Sequence, residues 1–309
     1  MTAARRVAPR LIGSAPSRRP RSGLRAAFHD DARQDEVPTL VADLVAFIPI
    51  VGTVLLALLY LVHRPAYYGV LREDMPVEWL QFAGLLFTAA LAALTARRAV
   101  GSGRVLVFGL VLLAVGAFVL AGEEISWGQR VFAFGTPEQL AGVNMQAETN
   151  VHNVEVAGLP LQSVFKLVSF LLALGGLILA WLTRPARPRL SGRFWRAVAV
   201  PSYTMIGSAL MVVFWVLVVI APSSPLMRFQ EWAEASLYLA LGAAVFAISR
   251  RPGIASEADP ATAAAHRRSV GDPPAFAILA AIAVGTIVFA ALTAYHGIAP
   301  LNNPEVIGP

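Results

Sequence analysis

The chain has 309 residues, of which 57% are apolar and only 14% are charged, and its mean hydropathy is +0.63. This composition excludes an ordinary soluble globular protein and indicates an integral membrane protein. The net charge is +6, but the basic residues are spread over several separate segments, which argues against a nucleic-acid partner. Cysteine is absent, which excludes disulfides and thiolate chemistry, so any bound metal would need oxygen or imidazole ligands.

Seven apolar runs follow one another along the chain, near residues 40–62, 78–96, 105–122, 161–182, 199–220, 231–249 and 275–295. A helix needs roughly 20 apolar residues to cross the hydrocarbon core of a bilayer. Because backbone groups cannot stay unpaired in lipid, these uninterrupted runs are expected to be helices, whereas barrel strands would alternate. The sequence therefore predicts an all-α integral membrane protein with about seven transmembrane helices embedded in a lipid bilayer.

The basic residues predict how these helices are oriented. If the amino terminus is cytoplasmic, all but five of the 25 Lys and Arg residues fall on inner segments; the five are Arg64, Arg72, Arg130, Lys166 and Arg228. Since cytoplasmic loops carry an excess of Lys and Arg, we expect the amino terminus inside and the carboxyl terminus outside. The near-exclusive use of Arg is typical of a GC-rich genome, which favours a bacterial plasma membrane.

Three segments divide the chain. Residues 1–36 are expected to form a disordered basic cytoplasmic tail, with a cleaved targeting peptide as the alternative for residues 1–28. Residues 37–298 form the predicted seven-helix membrane domain, which includes an outer polar loop at 123–160. Residues 299–309 are a short outer tail.

Carboxylates concentrate at the predicted outer ends of the helices. Glu78, Glu123 and Glu231 each lie the same number of residues from the arginine at the other end of the helix. Equal spacing on helices of equal rise predicts one layer of glutamates at the outer edge of the hydrocarbon. Glu231, Glu234 and Tyr238 also share one helical face, which is expected to look into the bundle because carboxylates avoid lipid.

The loop after the third predicted span is unusually rich in polar groups. Thr136 and Pro137 predict the start of a short helix, and Gly142 predicts its end. A second short helix is expected to carry Asn144, Glu148 and His152 on one stripe, since they follow one another at intervals of four. Such a segment could lie along the membrane surface as a lid over the glutamate layer.

A resemblance rests on two stretches of this loop. The run EEISWGQR at 123–130 and the block NMQAETNVHN at 144–153 resemble a family of uncharacterised bacterial multi-pass membrane proteins. That family shares the pattern E-E-x-S-W-G-Q-R, followed by N-x-Q-x-E-x-N-x-H-N. Outside residues 123–153 the resemblance extends only to hydropathy. It implies a shared site in this loop and no particular activity.

Three functions fit this pattern. The first is an enzyme acting on a lipid or lipid-linked substrate at the outer face, in which the catalytic groups are Glu123, Glu124 and His152. Its substrate-binding groups would be Trp127, Gln129, Arg130, Asn144, Glu148, Asn153, Glu78, Glu231 and Glu234. In this interpretation Arg130 holds an anionic headgroup, and a divalent metal with oxygen and nitrogen ligands is one option for a cofactor.

The second function, from a different class, is a carrier or accessory membrane protein whose acids bind a cation or a proton while no bond is broken. The third is a structural network that ties the polar loop to the helix bundle. Bound lipid or metal would favour the first function, and a flux driven by protons or cations would favour the second.

The predicted orientation can be tested by labelling, because no native cysteine interferes. Gly135→Cys and Gln139→Cys should react with a membrane-impermeant thiol reagent added outside intact cells, since both positions belong to the predicted outer loop. Gly101→Cys and Ala263→Cys should react only after the membrane is permeabilised. The opposite labelling pattern would overturn the orientation and with it the outer position of the glutamates.

Overall fold

The computed structural model describes residues 23–100, 103–144, 148–156, 158–186, 199–251 and 273–297. The helices are α1 (Leu24–Gln34), α2 (Thr39–Val62), α3 (Arg64–Val70), α4 (Pro76–Arg98), α5 (Arg104–Glu124), α6 (Glu138–Ala141), α7 (Leu161–Ala186), α8 (Met205–Ile220), α9 (Ser224–Arg228), α10 (Gln230–Arg250) and α11 (Pro273–His296). Two strands, β1 (Glu155–Val156) and β2 (Leu159–Pro160), pair antiparallel. Within the described residues, seven helices are long and apolar enough to cross a membrane, which confirms the all-α membrane fold.

Local sequence explains where individual helices begin and how they bend. α4 starts with Pro76, whose missing N–H is not needed in the first turn, and ends with Arg97 and Arg98, whose positive charge suits the carboxyl end of a helix dipole. α2 contains Pro49, whose carbonyl oxygen accepts a hydrogen bond from the Trp232 indole at 3.2 Å. Gly52 allows this contact, because a Cβ there would come within 1.9 Å of the same indole.

α4 and α10 form the centre of the bundle. Their apolar windows are 56% and 50% buried, whereas the windows of α7 and α11 are 11% and 6% buried. Helix contacts run in the order α5, α4, α10, α8 and α7, while α2 packs against α8 and α10, and α11 packs against α4. Among the described residues the two end members of this row, α5 and α7, make at most marginal contact. The row is therefore C-shaped, with a gap between α5 and α7.

The two ends of the bundle carry different structures, which we call the loop end and the tail end. The loop end holds the described residues between α5 and α7, namely 125–144, 148–156 and 158–160, together with the amino termini of α4, α7 and α10. The tail end holds α1 and the opposite ends of the same helices. Which end faces the cytoplasm remains the prediction made from the basic residues.

The prediction of a disordered tail over residues 1–36 is wrong for its last part. α1 packs at the tail end, where Phe28 and Ala32 are buried in a cluster with Tyr203 of the turn before α8. Asp31 accepts a hydrogen bond from the backbone N–H of Ser202 at 2.7 Å, and Asp35 forms an ion pair with Arg251 at 2.9 Å. These partners lie far along the chain, so the basic composition of the segment gave no sign of them. Residues 1–22 and 299–309 lie outside the described residues.

The loop itself matches one local prediction and contradicts another. The predicted short helix is present as α6, and Gly142 follows it as expected. The second helix is wrong for the residues that the structure describes: Asn144 forms an isolated bridge with Val154, and residues 148–154 follow an irregular path. Asn144, Glu148 and His152 therefore do not share a helical stripe.

Candidate functional site

The loop begins with a tight turn directly after α5. Ser126, Trp127 and Gly128 form a single 3-10 turn, and their φ angles are +46°, +54° and +80°. Two consecutive residues other than glycine in the left-handed region cost of order 1–3 kcal/mol each, so surrounding contacts must hold them there. The Trp127 indole covers Gly122 on α5, where a Cβ would come within 2.8 Å of the ring.

Glu123 supplies the first set of these contacts. Its side chain is buried, and its Oε1 accepts a hydrogen bond from the Trp127 indole N–H at 2.7 Å. Its Oε2 accepts hydrogen bonds from the backbone N–H groups of Val151 and His152, at 2.7 and 2.9 Å. The His152 ring nitrogen Nδ1 lies 3.3 Å from the same oxygen. Glu123 thus fastens both the start and the far part of the loop to the end of α5.

Glu148 supplies the second set from the middle of the loop. Its Oε1 accepts a hydrogen bond from Arg130 at 2.8 Å. Its Oε2 accepts hydrogen bonds from the Ser126 hydroxyl at 3.0 Å and from the Asn150 amide at 2.7 Å. Arg130 also reaches Asp74, at 2.9 Å, in the turn before α4. The buried Glu148 therefore connects the strained turn with the middle of the loop and, through Arg130, with the turn before α4.

Amide side chains complete this network. Asn144 donates hydrogen bonds to the backbone and side-chain oxygens of Asn150, at 2.8 and 2.9 Å. Gln129 donates to the Thr136 hydroxyl and accepts from the backbone N–H of Thr149. Because these polar groups bond to one another, the arrangement is a folded polar core for the loop. We call this set of Glu123, Ser126, Trp127, Gln129, Arg130, Asn144, Glu148 and Asn150 the loop network.

A cavity of about 100 Å³ lies beneath the loop network, between α4, α5, α7 and α10. Its described lining contains six glutamates, one lysine and one histidine, namely Glu73, Glu78, Glu123, Glu124, Glu231, Glu234, Lys166 and His152. We call it the acid cavity. Drug-sized ligands occupy pockets of about 300–1,000 Å³, so this cavity suits water molecules or one small charged group.

Several glutamates of the acid cavity have only light support from hydrogen bonds. Glu124 accepts one from the Tyr238 hydroxyl at 3.3 Å, and Glu234 accepts one from Gln230 at 2.9 Å. Glu231 receives the Gln81 amide at 3.3 Å. This contrasts with Glu123 and Glu148, each of which accepts three or more hydrogen bonds within the loop network.

Positive charge near these glutamates is scarce. Lys166 on α7 interacts electrostatically with Glu231 and Glu234, and Arg228, which is outside the described lining of the cavity, also acts on Glu231. His152 stands at the rim, where its ring contacts Phe165 edge-on, and its Nδ1 faces Glu123. His63 instead begins α3, and His296 lies against the Val131 carbonyl oxygen, so neither lines the acid cavity. Among the described residues no three His, Cys, Asp or Glu side chains are arranged to hold a metal ion.

The structure thus separates the predicted site residues into two groups. Glu78, Glu123 and Glu231 line one cavity, as the matched depth predicted, and Glu124, Glu234, His152 and Asn153 join them there. The other predicted binding residues, Trp127, Gln129, Arg130, Asn144 and Glu148, do not line it and belong to the loop network. In particular, Arg130 is held by Asp74 and Glu148.

Sequence reasoning missed part of the lining. Lys166, Gln162 and Ser169 come from one face of α7, and Gln230 comes from the start of α10. Lys166 carried a usable signal, since it is the single lysine of the chain and stands inside an apolar run. Ser169 and Gln162 carried none, because isolated polar residues on a membrane helix are common at packed faces.

Comparison of the chain with protein-family models, with curated proteins and with solved structures found no match. The resemblance of residues 123–153 to a bacterial membrane-protein family therefore remains a prediction. The site is interpreted from its own geometry.

The loop network predicts a specific loss of stability. Glu148→Gln removes the charge that holds Arg130 and the Ser126 hydroxyl, so it should lower the free energy of unfolding by about 1–3 kcal/mol. The measurement is thermal or denaturant unfolding of the purified protein in detergent. Glu155→Gln, an exposed carboxylate on β1, is the matched control and should stay within about 0.5 kcal/mol of wild type. Equal destabilisation of the two variants would contradict a structural role for Glu148.

Proposed function

We propose that the protein binds protons, or a small cation in their place, in the acid cavity, and that it acts as a carrier or accessory protein of the membrane without breaking a bond. The proposal rests on one observation: the six glutamates of the cavity lining face a single lysine and a single histidine. In a membrane-embedded site of low dielectric, an excess of like charge is very costly unless something balances it. Protons and small cations are the species that fit a cavity of about 100 Å³.

The hydrogen bonds of the cavity glutamates indicate which of them can bind protons or a cation. Glu123 is already bound by the loop, so its charge is served by the loop network and by His152. Glu124, Glu231 and Glu234 interact electrostatically with one another and have few donors of their own. These three carboxyl groups are the ones that we assign to reversible binding.

Protons are favoured over a divalent metal. No described group of three possible ligands surrounds one point in the structure, whereas a divalent ion with oxygen ligands requires several at short range. Protons need no such geometry, since each binds to one carboxyl group and neighbouring carboxyls can share one. Chains of acids inside membrane proteins commonly serve proton movement.

An enzyme acting on a lipid or lipid-linked substrate has less support from this geometry. Both carboxylate oxygens of Glu123, one of its three candidate catalytic groups, already accept hydrogen bonds from the Trp127 indole and from loop backbone N–H groups. The arginine assigned to an anionic headgroup is held by two carboxylates.

Together with the orientation predicted from the basic residues, the proposal implies that the acid cavity lies on the outer face of a bacterial plasma membrane.

Proton uptake tests the proposal directly. Wild-type protein in weakly buffered lipid nanodiscs should take up protons as the pH is lowered from mildly alkaline to mildly acidic values. The variant Glu124→Gln/Glu234→Gln should take up fewer protons per molecule, because two of the binding groups are gone. The absorbance change of a pH indicator in solution, compared with that of empty nanodiscs, gives the number of protons taken up per protein molecule.

Two further arms complete this experiment. Glu138→Gln/Glu155→Gln removes the same number of carboxyl groups from the loop surface and should keep the wild-type uptake. Addition of Na⁺ or K⁺ at fixed pH should release protons if a cation competes for the same groups. Identical uptake by wild type and by the cavity variant would refute the proposal.

A further inference from the structure

A second cavity of about 110 Å³ lies deeper in the bundle than the acid cavity. It is bounded by α7, α8 and α10, and by Leu120 of α5. Leu120, Phe165, Ser169 and Tyr238 line both cavities, so the two spaces adjoin at the level of the Tyr238 ring. We call the deeper space the chamber.

The chamber is chemically unlike the acid cavity. Its described lining is mainly aliphatic and aromatic, and it contains no charged residue. The few polar groups are hydroxyls such as that of Thr204, which donates its hydrogen to the Pro201 carbonyl at 2.7 Å. A chain of CH₂ groups placed here would gain about 0.8 kcal/mol for each one removed from water, although the bilayer offers the same gain. Relative to the bilayer, net affinity must therefore come from the group attached to the chain, whereas relative to water the chain itself adds to the affinity.

The chamber faces the bilayer through the gap between α5 and α7. These helices make at most marginal contact among the described residues. Val168 and Leu172 of α7 line the chamber and are nevertheless 48% and 49% exposed. Side chains that belong both to a cavity wall and to the lipid-facing surface mark the mouth of that cavity. A molecule dissolved in the bilayer can thus reach the chamber without crossing the polar loop.

We infer that the two spaces together bind a single-chain amphiphile with a cationic amine headgroup, which enters from the bilayer between α5 and α7. The amine lies against Glu124 and Glu234 in the acid cavity, the first methylenes of the chain occupy the chamber, and the rest of the chain passes through the mouth into the bilayer. This inference rests on the proposed function, since it uses the same carboxyl groups and assumes that their charge is available to a ligand. The inference goes beyond the proposed function in one respect: the cation that binds to the glutamates carries an apolar chain.

Charge complementarity selects the amine over other amphiphiles. An anionic phospholipid would bring its phosphate towards a described lining of six glutamates, one lysine and one histidine, with Arg228 acting on Glu231 from outside the lining. An uncharged alcohol would leave the excess negative charge as it was. An amine is also small enough for a cavity of about 100 Å³, whereas a bulky headgroup is not. Binding of the amine should displace protons from the same carboxyl groups, which would couple its movement to protons.

Native mass spectrometry of the detergent-purified protein tests the inference with dodecylamine as the probe. Wild type should retain one dodecylamine, and it should bind butylamine and dodecanol at least about tenfold more weakly, because one lacks the chain and the other lacks the charge. Glu124→Gln/Glu234→Gln should lose dodecylamine by a similar factor. Equal retention of butylamine and dodecylamine would overturn the role of the chamber.

Two neighbouring glycines provide a matched pair for the chamber. A Cβ at Gly176 would lie 3.3 Å from the Ser208 hydroxyl inside the chamber, whereas a Cβ at Gly175 meets nothing within 4 Å. Gly176→Leu should therefore weaken dodecylamine binding by about tenfold or more, and Gly175→Leu should leave it unchanged. If Gly176→Leu fails to fold, Leu172→Trp at the mouth replaces it, with the adjacent exposed Leu171→Trp as control. Equal binding by both members of a pair would overturn the inference.

Proton uptake by the same samples separates the two proposals. Wild type that takes up protons through the cavity glutamates but retains no dodecylamine would refute the amphiphile and leave the proposed function intact. Wild type that retains dodecylamine through Glu124 and Glu234 without taking up protons would refute the proposed function and support the binding site.

Discussion

The cost of burying charge at the edge of a bilayer governs this structure, and the chain meets it in three different ways. At the tail end, Asp35 and Arg251 form a buried ion pair whose guanidinium also donates to the Ala199 carbonyl oxygen. In the loop, Glu123 and Glu148 are satisfied by backbone N–H groups and polar side chains. In the acid cavity, the six glutamates of the described lining outnumber its one lysine and one histidine, and we propose that protons balance the difference.

Within residues 123–153, some carboxyl groups stabilise the loop, and some line the acid cavity. Glu123, one of the candidate catalytic residues, and Glu148, one of the candidate binding residues, belong to the loop network and hold the strained turn at Ser126 and Trp127. Glu124, a second candidate catalytic residue and the neighbour of Glu123 in the chain, lines the acid cavity together with Tyr238. Both glutamate side chains line the acid cavity, but Glu123 accepts hydrogen bonds from Trp127 and from the loop backbone, whereas Glu124 accepts one from Tyr238, so we assign Glu123 to the scaffold and Glu124 to the cavity.

Local patterns predicted the helices and the grouping of Glu78, Glu123 and Glu231, because hydropathy and helical rise are properties of single segments. The local patterns gave wrong predictions where contacts beyond a single segment determine the structure. α1 is held by Phe28 and by partners such as Ser202 and Arg251 that lie far along the chain. The expected helix through Asn144 and Glu148 did not form, since their side chains bond to nearby loop groups and so offer the backbone an alternative to a helix. The position of Lys166 in the lining of the acid cavity, and the existence of the chamber, depend on how α7 packs in the bundle, which no single segment reveals.

The central claim is that protons balance the excess carboxylates of the acid cavity, and infrared difference spectroscopy measures this most directly. Protonated carboxyl groups absorb separately from carboxylates, and their band shifts when hydrogen is exchanged for deuterium. Wild-type protein in nanodiscs near neutral pH should show such a band, and Glu124→Gln, Glu231→Gln and Glu234→Gln should each reduce it, whereas Glu138→Gln should not. A spectrum without protonated carboxyl groups, or a band unaffected by all three cavity variants, would contradict the account.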